Sequence, residues 1–240
     1  MSATKTEQPI WESEGAQKRR AVQRMFGEIA PSYDRLNAWM SFRLHHKWRE
    51  LAVGVLNLKP GARVLDVCCG TGDFLLPLKQ AVGATGLVFG VDFSGPMIAQ
   101  VTPKTGCDVA LGDACALPIA SGSFDAVTVG WGIRNVPDID QAHREIARVL
   151  RPGGRFVSLD MARPRQAVIG ALSTWAFQNL VPKLGALFGS KDAYTYLPKS
   201  TERFSTREQL VESMEKAGFE DIHYRDLMMG NICMHWGVKR

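Results

Sequence analysis

The chain has no unbroken run of apolar residues long enough to span a bilayer, although 45% of its 240 residues are hydrophobic; no segment reads as a transmembrane helix. Its opening, MSATKTEQPI, lacks the charged start, apolar run and small-residue cleavage site of a secretory signal. The expected location is therefore the cytoplasm. No Cys-x-x-Cys pair occurs among Cys68, Cys69, Cys107, Cys115 and Cys233, so neither zinc-site spacing nor an even disulfide framework is present. These cysteines read as buried thiols, and no metal site is expected. Internal repeats and low-complexity tracts are missing too. The charge excess is small, +5 with a pI near 9.0, which fits an acidic partner, an anionic membrane surface or no special partner.

What is present fits one domain with a single large core. Three zones differ in texture. Up to about residue 58, Val22, Met25, Phe26 and Ile29 recur at the spacing of an amphipathic helix, which Pro31 should close. A second helical stretch runs through Trp39, Met40, Leu44 and Trp48, with Arg35, Arg43, His45, His46, Lys47 and Arg49 on its other positions. That basic set reads either as a solvated face or as a contact with an anionic surface. The expected division is a helical cap over residues 1–58 and a core over 59–240.

From KPGARVLDV onward, short apolar runs alternate with helical segments, the pattern of a parallel sheet buried on both faces. The expected strands are Arg63–Val67, Gly86–Val91, Asp108–Leu111, Phe124–Val129 and Arg155–Leu159. Between the last two, DIDQAHREIARVLRPGG reads as a helix with Ile146, Val149 and Leu150 on one face and a Pro-Gly-Gly stop. The fold class is α/β, a doubly wound, Rossmann-like sheet. The last zone carries an interrupted apolar insertion, about 162–204, that reads as a lid or as core packing. A helix, TREQLVESMEKAGF, and two strand-like endings, EDIHYRDL and NICMHWGVKR, complete it.

The stretch VLDVCCGTGDF, Val64 to Phe74, places Gly70, Thr71 and Gly72 at the end of the first strand, where a parallel sheet binds ligands. A dinucleotide loop would carry a third glycine where Leu75 stands. A ligand without phosphates, such as S-adenosylmethionine, needs only close backbone approach to its amino-acid end. Asp92 ends the second strand, placed to accept both ribose hydroxyls. After the third, LGDACALP offers Asp113 as acceptor for the adenine amino group and the Ala114 backbone as donor. Each has a plainer reading: an ordinary turn, a helix cap, a turn cap before Pro118. Their order on successive strands favours an adenosine pocket.

At this point the sequence resembles a known family. VLDVCCGTGDF is similar to the first motif of class I S-adenosylmethionine-dependent methyltransferases. YDRLNAWMSFRLHHKWR and WGIRNVPD resemble the two signatures of the ubiquinone/menaquinone biosynthesis C-methyltransferase family, and the resemblance runs from about Met25 to the C-terminus. Two departures stand out: Cys68 occupies a place where a glycine is usual, and Gly130 one where some members carry serine. The resemblance implies methylation of a ring carbon on a reduced polyprenyl quinone, demethylmenaquinol to menaquinol, with a methoxy-benzoquinol as the alternative acceptor. It implies a seven-stranded sheet and S-adenosylmethionine as cofactor.

In that chemistry a phenolate pushes electron density onto the adjacent carbon, which attacks a methyl group in line. Arg134, past the fourth strand, could stabilise the phenolate, and Asn135 could orient a hydroxyl or a water; the plainer reading is a loop held by its own hydrogen bonds. Tyr33, Asn37, His45 and Tyr196 are candidate ring contacts. The substrate's tail lives in a bilayer, so peripheral association with an anionic membrane surface is expected, and a homodimer is compatible with the chain. A nucleic-acid amino methylase would carry an Asn/Asp-Pro-Pro-aromatic tetrad where WGIRNVPD stands, so no nucleic-acid partner is expected. A non-catalytic nucleotide-binding module would have no need of the Tyr33 to Arg49 segment.

Overall fold

One sheet, buried on both faces, organises the molecule. In a computed structural model, which describes Ile10, Ser13 and residues 15–166 and 191–240, seven strands form one sheet in the order β3-β2-β1-β4-β5-β7-β6. Strands β1 (Arg63–Val67), β2 (Leu87–Asp92), β3 (Asp108–Leu111), β4 (Phe124–Gly130) and β5 (Leu150–Met161) are parallel. Strand β7 (Ile232–Lys239) runs antiparallel between β5 and β6 (Phe219–Leu227). Alternate residues supply opposite faces. Leu65, Val127 and Phe156 pack with Ile146 of one helix and Met214 of another, while Val64, Val157 and Met234 pack with Trp48, Ala52, Leu75 and Leu78. Both faces are covered, which is why the central strands read as continuous apolar runs.

The helices are α1 (Gly15–Ile29), α2 (Tyr33–Met40), α3 (Leu44–Val55), α4 (Leu75–Val82), α5 (Gly95–Ile98), α6 (Val101–Thr105), α7 (Ile139–Val149), α8 (Lys191–Glu202) and α9 (Arg207–Lys216). Asp138 caps α7 by accepting from the Gln141 N–H at 2.9 Å, and Thr206 with Gln209 forms a capping box on α9. Pro31 ends α1 as expected, but one 3-10 turn, Ala30–Ser32, carries the path directly into α2. Most of the apolar insertion, residues 167–190, lies outside the described residues. None of the described helices is long and apolar enough to cross a membrane.

Two local expectations fail for identifiable reasons. Strand β5 starts at Leu150, paired with Phe124, and the expected Pro-Gly-Gly stop is a bulge inside the strand before Ala126 pairs with Arg155. The second helical stretch is two helices, because Phe42 and Arg43 both adopt left-handed backbone (φ 49° and 62°) and break the register. Trp48 is buried as read, but Trp39 and Leu44 are exposed, while His45 and Arg49 are buried.

Candidate active site

The carboxyl ends of β1 to β4 surround a cleft of about 660 Å³, counted to its open mouth, whose walls include Tyr33, Gly70, Asp92, Asp113, Trp131 and Asn135. Its floor is the turn after β1. The Cys69 N–H donates to the Val91 carbonyl at 3.1 Å and the Gly72 N–H to the Cys69 carbonyl at 2.9 Å. Gly70 and Gly72 have φ of 56° and 89°, which glycine adopts without steric cost. At Gly72 a side chain would also press within 3.1 Å of Val101 and Thr105. Leu75, in the third-glycine position, is fully buried on α4.

Cys68 is a non-glycine residue in the left-handed region, φ 57°. A β-carbon at Gly132 would fall 2.4 Å from the Cys68 β-carbon, and one at Gly130 would fall 2.9 Å from the Phe74 ring. The loop beyond β4 therefore carries no side chain where Cys68 approaches it, and Phe74 fills the space a side chain at 130 would need.

Asp92 accepts from the Gly70 N–H at 2.8 Å and the Ser94 N–H at 2.9 Å. Burial pushes its carboxyl above the usual range, opposed only by backbone hydrogen bonds and by no cation. Such a group fits a ligand that brings hydroxyl donors. Asp113 takes the Cys115 N–H at 2.9 Å on one oxygen and Arg19 of α1 on the other. Gln23, also on α1, donates to the Phe93 carbonyl at 2.6 Å, so α1 crosses the end of the cleft that holds Asp92 and Asp113. Ala114 lines that end. Thr71 is buried with its hydroxyl on Asp34 at 2.5 Å.

Behind this wall stands the second group of predicted residues. Arg134 is buried, donating from Nη1 to Asp160 at 2.5 Å and to the Trp131 carbonyl at 3.0 Å, while its backbone N–H reaches the other Asp160 oxygen at 3.1 Å. Its Nε has no acceptor. The Tyr196 hydroxyl donates to Asn135 Oδ1 at 2.8 Å, and Asn135 Nδ2 donates to the Trp131 carbonyl at 3.0 Å. Burial pushes Tyr196 up to about 12, so it stays protonated at neutral pH. Tyr33 is also raised by burial, against the opposing effects of Asn37, Arg134 and Arg49.

His45 stands apart, 2.5 Å from the Ser41 hydroxyl through Nδ1 and 3.8 Å from Asp73 through Nε2. Burial, with Arg49 beside it, lowers it to about 4. Asp73 also meets Lys104 at 2.5 Å and Arg49 at 3.4 Å; burial raises its carboxyl, but these cations outweigh that and hold it low. Arg49 lies 4.8 Å over the Trp131 ring.

Sequence reasoning missed Asp160, Asp73 with Arg49, and Asp66. Asp66 sits inside β1, accepts from the Thr128 hydroxyl at 2.6 Å, and is pushed by burial to about 7. The available signal was a lone carboxylate inside an apolar strand, in VLDV and again in VSLDM, since such groups are seldom buried without a purpose or a partner.

Comparison with known proteins adds the family. A model described as the ubiE/COQ5 methyltransferase family matches residues 13–239. Among curated relatives, the demethylmenaquinone methyltransferase of Lactiplantibacillus plantarum is 39% identical over 91% of this chain and 95% of its own length. That of Staphylococcus aureus is 41% identical over 92% and 94%. Among solved structures, a SAM-dependent methyltransferase from Thermotoga maritima superposes with a TM-score of 0.66 at 24% identity, covering 91% of this chain and 99% of that one. A phosphoethanolamine N-methyltransferase from Haemonchus contortus, in complex with S-adenosyl-L-methionine, gives 0.60 at 19% identity over 80% and 52%. These structural likenesses establish the fold.

Proposed function

Because the chain belongs to the ubiE/COQ5 methyltransferase family, we propose that it methylates a ring carbon of a reduced polyprenyl naphthoquinol, demethylmenaquinol to menaquinol. The observation that carries the acceptor is the near-full-length identity to relatives whose names state demethylmenaquinone. The cleft supports the cofactor: S-adenosylmethionine, when bound, supplies an electrophilic sulfonium methyl. Asp92, a buried carboxylate without a cation, would hold the ribose hydroxyls; Asp113 and Ala114 would hold the adenine. The turn of Gly70, Thr71 and Gly72 would receive the amino-acid end.

The chain's part in the chemistry is to hold the acceptor ring and stabilise its oxygen as an anion. Arg134 is the candidate for that oxygen. One of its nitrogens is engaged by Asp160, which fixes the guanidinium plane, and Nε is left with an unused hydrogen. Asn135, fixed by Tyr196 and Trp131, retains a second amide hydrogen for a hydroxyl or a water. Tyr33 walls the cleft between the two groups, with Asn37 one helical turn further along α2. His45, neutral at pH 7, braces α2 through Ser41. Fixing both reactants in line supplies roughly 7–11 kcal/mol of the barrier. Of residues 1–58, helices α1 and α2 act as the cap of this cleft through Arg19, Phe26 and Tyr33, and the enzyme works at the surface of an anionic membrane that holds the quinol's tail.

The test is an anaerobic methyl-transfer assay with reduced demethylnaphthoquinol and methoxy-benzoquinol side by side. Transfer to the naphthoquinol is expected; preference for the benzoquinol would reassign the acceptor, and transfer to neither would overturn the reading.

A further inference from the structure

Four of the eight large hydrophobic side chains exposed among the described residues fall between residues 39 and 51: Trp39 at 51%, Phe42 at 80%, Leu44 at 37% and Leu51 at 42%. The other four, Leu76, Leu111, Tyr224 and Met229, lie on unrelated elements. Exposed apolar side chains scattered singly need no explanation, but a cluster does. This cluster has a defined shape. Helices α2 and α3 form a hairpin whose turn, Ser41–Arg43, projects Phe42. On α3, Leu44, Lys47 and Leu51 follow one another at the spacing of one helical face, and on α2 Arg35 lies one turn before Trp39.

The tip is built. Phe42 and Arg43 both sit in the left-handed region, a conformation bulky side chains avoid unless the surroundings impose it. Here the Arg43 N–H donates to the Ala38 carbonyl at 2.8 Å, the Leu44 N–H to the Ser41 carbonyl at 2.9 Å, and the Ser41 hydroxyl to the Asn37 carbonyl at 2.6 Å. The opposite side of the hairpin is anchored by Leu36, His45, Trp48, Arg49 and Ala52, all buried. Around the apolar tip, Arg35, Arg43, His46 and Lys47 are exposed, against a single exposed acid on the hairpin, Glu50. An apolar wedge ringed by cations matches an anionic bilayer: the rings and leucines enter the acyl boundary while the guanidinium and ammonium groups remain among the headgroups.

We propose that the α2–α3 hairpin is a membrane-insertion tip, with Trp39, Phe42, Leu44 and Leu51 entering an anionic leaflet and Arg35, Arg43 and Lys47 meeting its phosphates. This deepens the membrane-surface part of the proposed function by naming the surface that docks. It also accounts for the hairpin's two-sidedness: one side walls the cleft through Tyr33 while the other faces the leaflet that holds the tail.

The experiment measures sedimentation of the full chain with two sets of vesicles, phosphatidylcholine alone and equal parts phosphatidylcholine and phosphatidylglycerol. The variants are Trp39→Ser/Phe42→Ser and Arg43→Glu/Lys47→Glu. Wild type should partition onto the anionic vesicles. Removing the two rings should weaken that partition about tenfold or more, and reversing two charges by at least about fivefold for each, with little effect on neutral vesicles. Methyl transfer to a short-tailed, water-soluble demethylnaphthoquinol should be unchanged in both variants, showing that fold and cleft are intact. Equal binding of wild type and the ring variant would overturn the proposal. So would a change from dimer to monomer by light scattering in the ring variant with no change in vesicle binding, since the patch would then face a second copy. If wild type binds vesicles as expected but methylates neither quinol, the docking surface stands and the acceptor assignment fails.

Discussion

Gly132 has φ −102° and ψ −37°, ordinary backbone for any residue, so an alanine there meets no conformational penalty. Space is the whole constraint. Its β-carbon would lie 2.4 Å from the Cys68 β-carbon, 2.9 Å from Cys68 Sγ and 3.1 Å from Val129 Cγ1, where carbon atoms settle at about 3.5–4.0 Å. The Cys68 β-carbon is fixed to the main chain, and no rotamer moves it away. The two loops must therefore separate by about 1 Å, and Gly132→Ala should cost about 3 kcal/mol, the upper part of the overpacking range. Cys68→Gly removes both offending atoms and relieves a left-handed non-glycine residue, a gain of about 1–2 kcal/mol offset by the lost packing of the thiol. Alone it should be near neutral. Combined, the two changes should leave only the Val129 contact, for a coupling energy of about 2–3 kcal/mol. Urea unfolding of the four proteins, compared at constant m-value, measures it. Additive effects, within about 0.5 kcal/mol, would refute the steric account of why this loop tolerates a cysteine in a glycine's place.

Asp66 has a folded-state pKa of about 7, raised by burial, so the native state keeps a proton that the unfolded chain releases near pH 4. Its contribution to stability is full below about pH 4 and lost as pH rises to about 7; Asp66→Asn should flatten that decline in melting temperature against pH. Arg134→Lys should lower methyl-transfer rate more than cofactor affinity and move the rising limb of the pH–rate profile upward, because an ammonium cannot reproduce the planar fork. Asp160→Asn, which strands a buried guanidinium, should cost about 3–5 kcal/mol, and adding Arg134→Met should recover most of it.

Strand β1 was legible to the residue because RVLDV is buried on both faces and bounded by Lys-Pro-Gly before and glycines after. The order of Gly70, Asp92 and Asp113 on successive strands was legible for the same reason, since each sits where an apolar run stops. The hairpin was not. A helical wheel over residues 33–49 assumes one axis, and two left-handed residues in its middle exchange inside for outside, sending Arg49 inward and Trp39 outward. Arg134 was singled out by its position past β4, but its partner Asp160 lies 26 residues away on β5, a pairing set by the β4–β5 register and invisible to local spacing. The bulge in β5 was hidden because Pro-Gly-Gly serves equally as a helix stop and as an irregular strand.

The reversal of strand order between β1 and β4 divides the cleft by ancestry of chain as well as by place. Gly70, Asp92, Asp113 and Ala114 all come from one continuous stretch, β1 through the turn after β3, while Asn135, Arg134 and Asp160 come from the next, β4 through β5. The seam between these halves is the ladder Val64↔Ala126 to Val67↔Val129, whose members are aliphatic or, at the Asp66–Thr128 rung, joined by one hydrogen bond. A transplanted β4–β5 segment has to match those rungs, the loop facing Cys68, the β5–β7 ladder and the Tyr196–Asn135 hydrogen bond. The proposed acceptor side is therefore tied into the sheet along two ladders, β1–β4 and β5–β7, whereas the proposed nucleoside side meets the rest of the sheet along one.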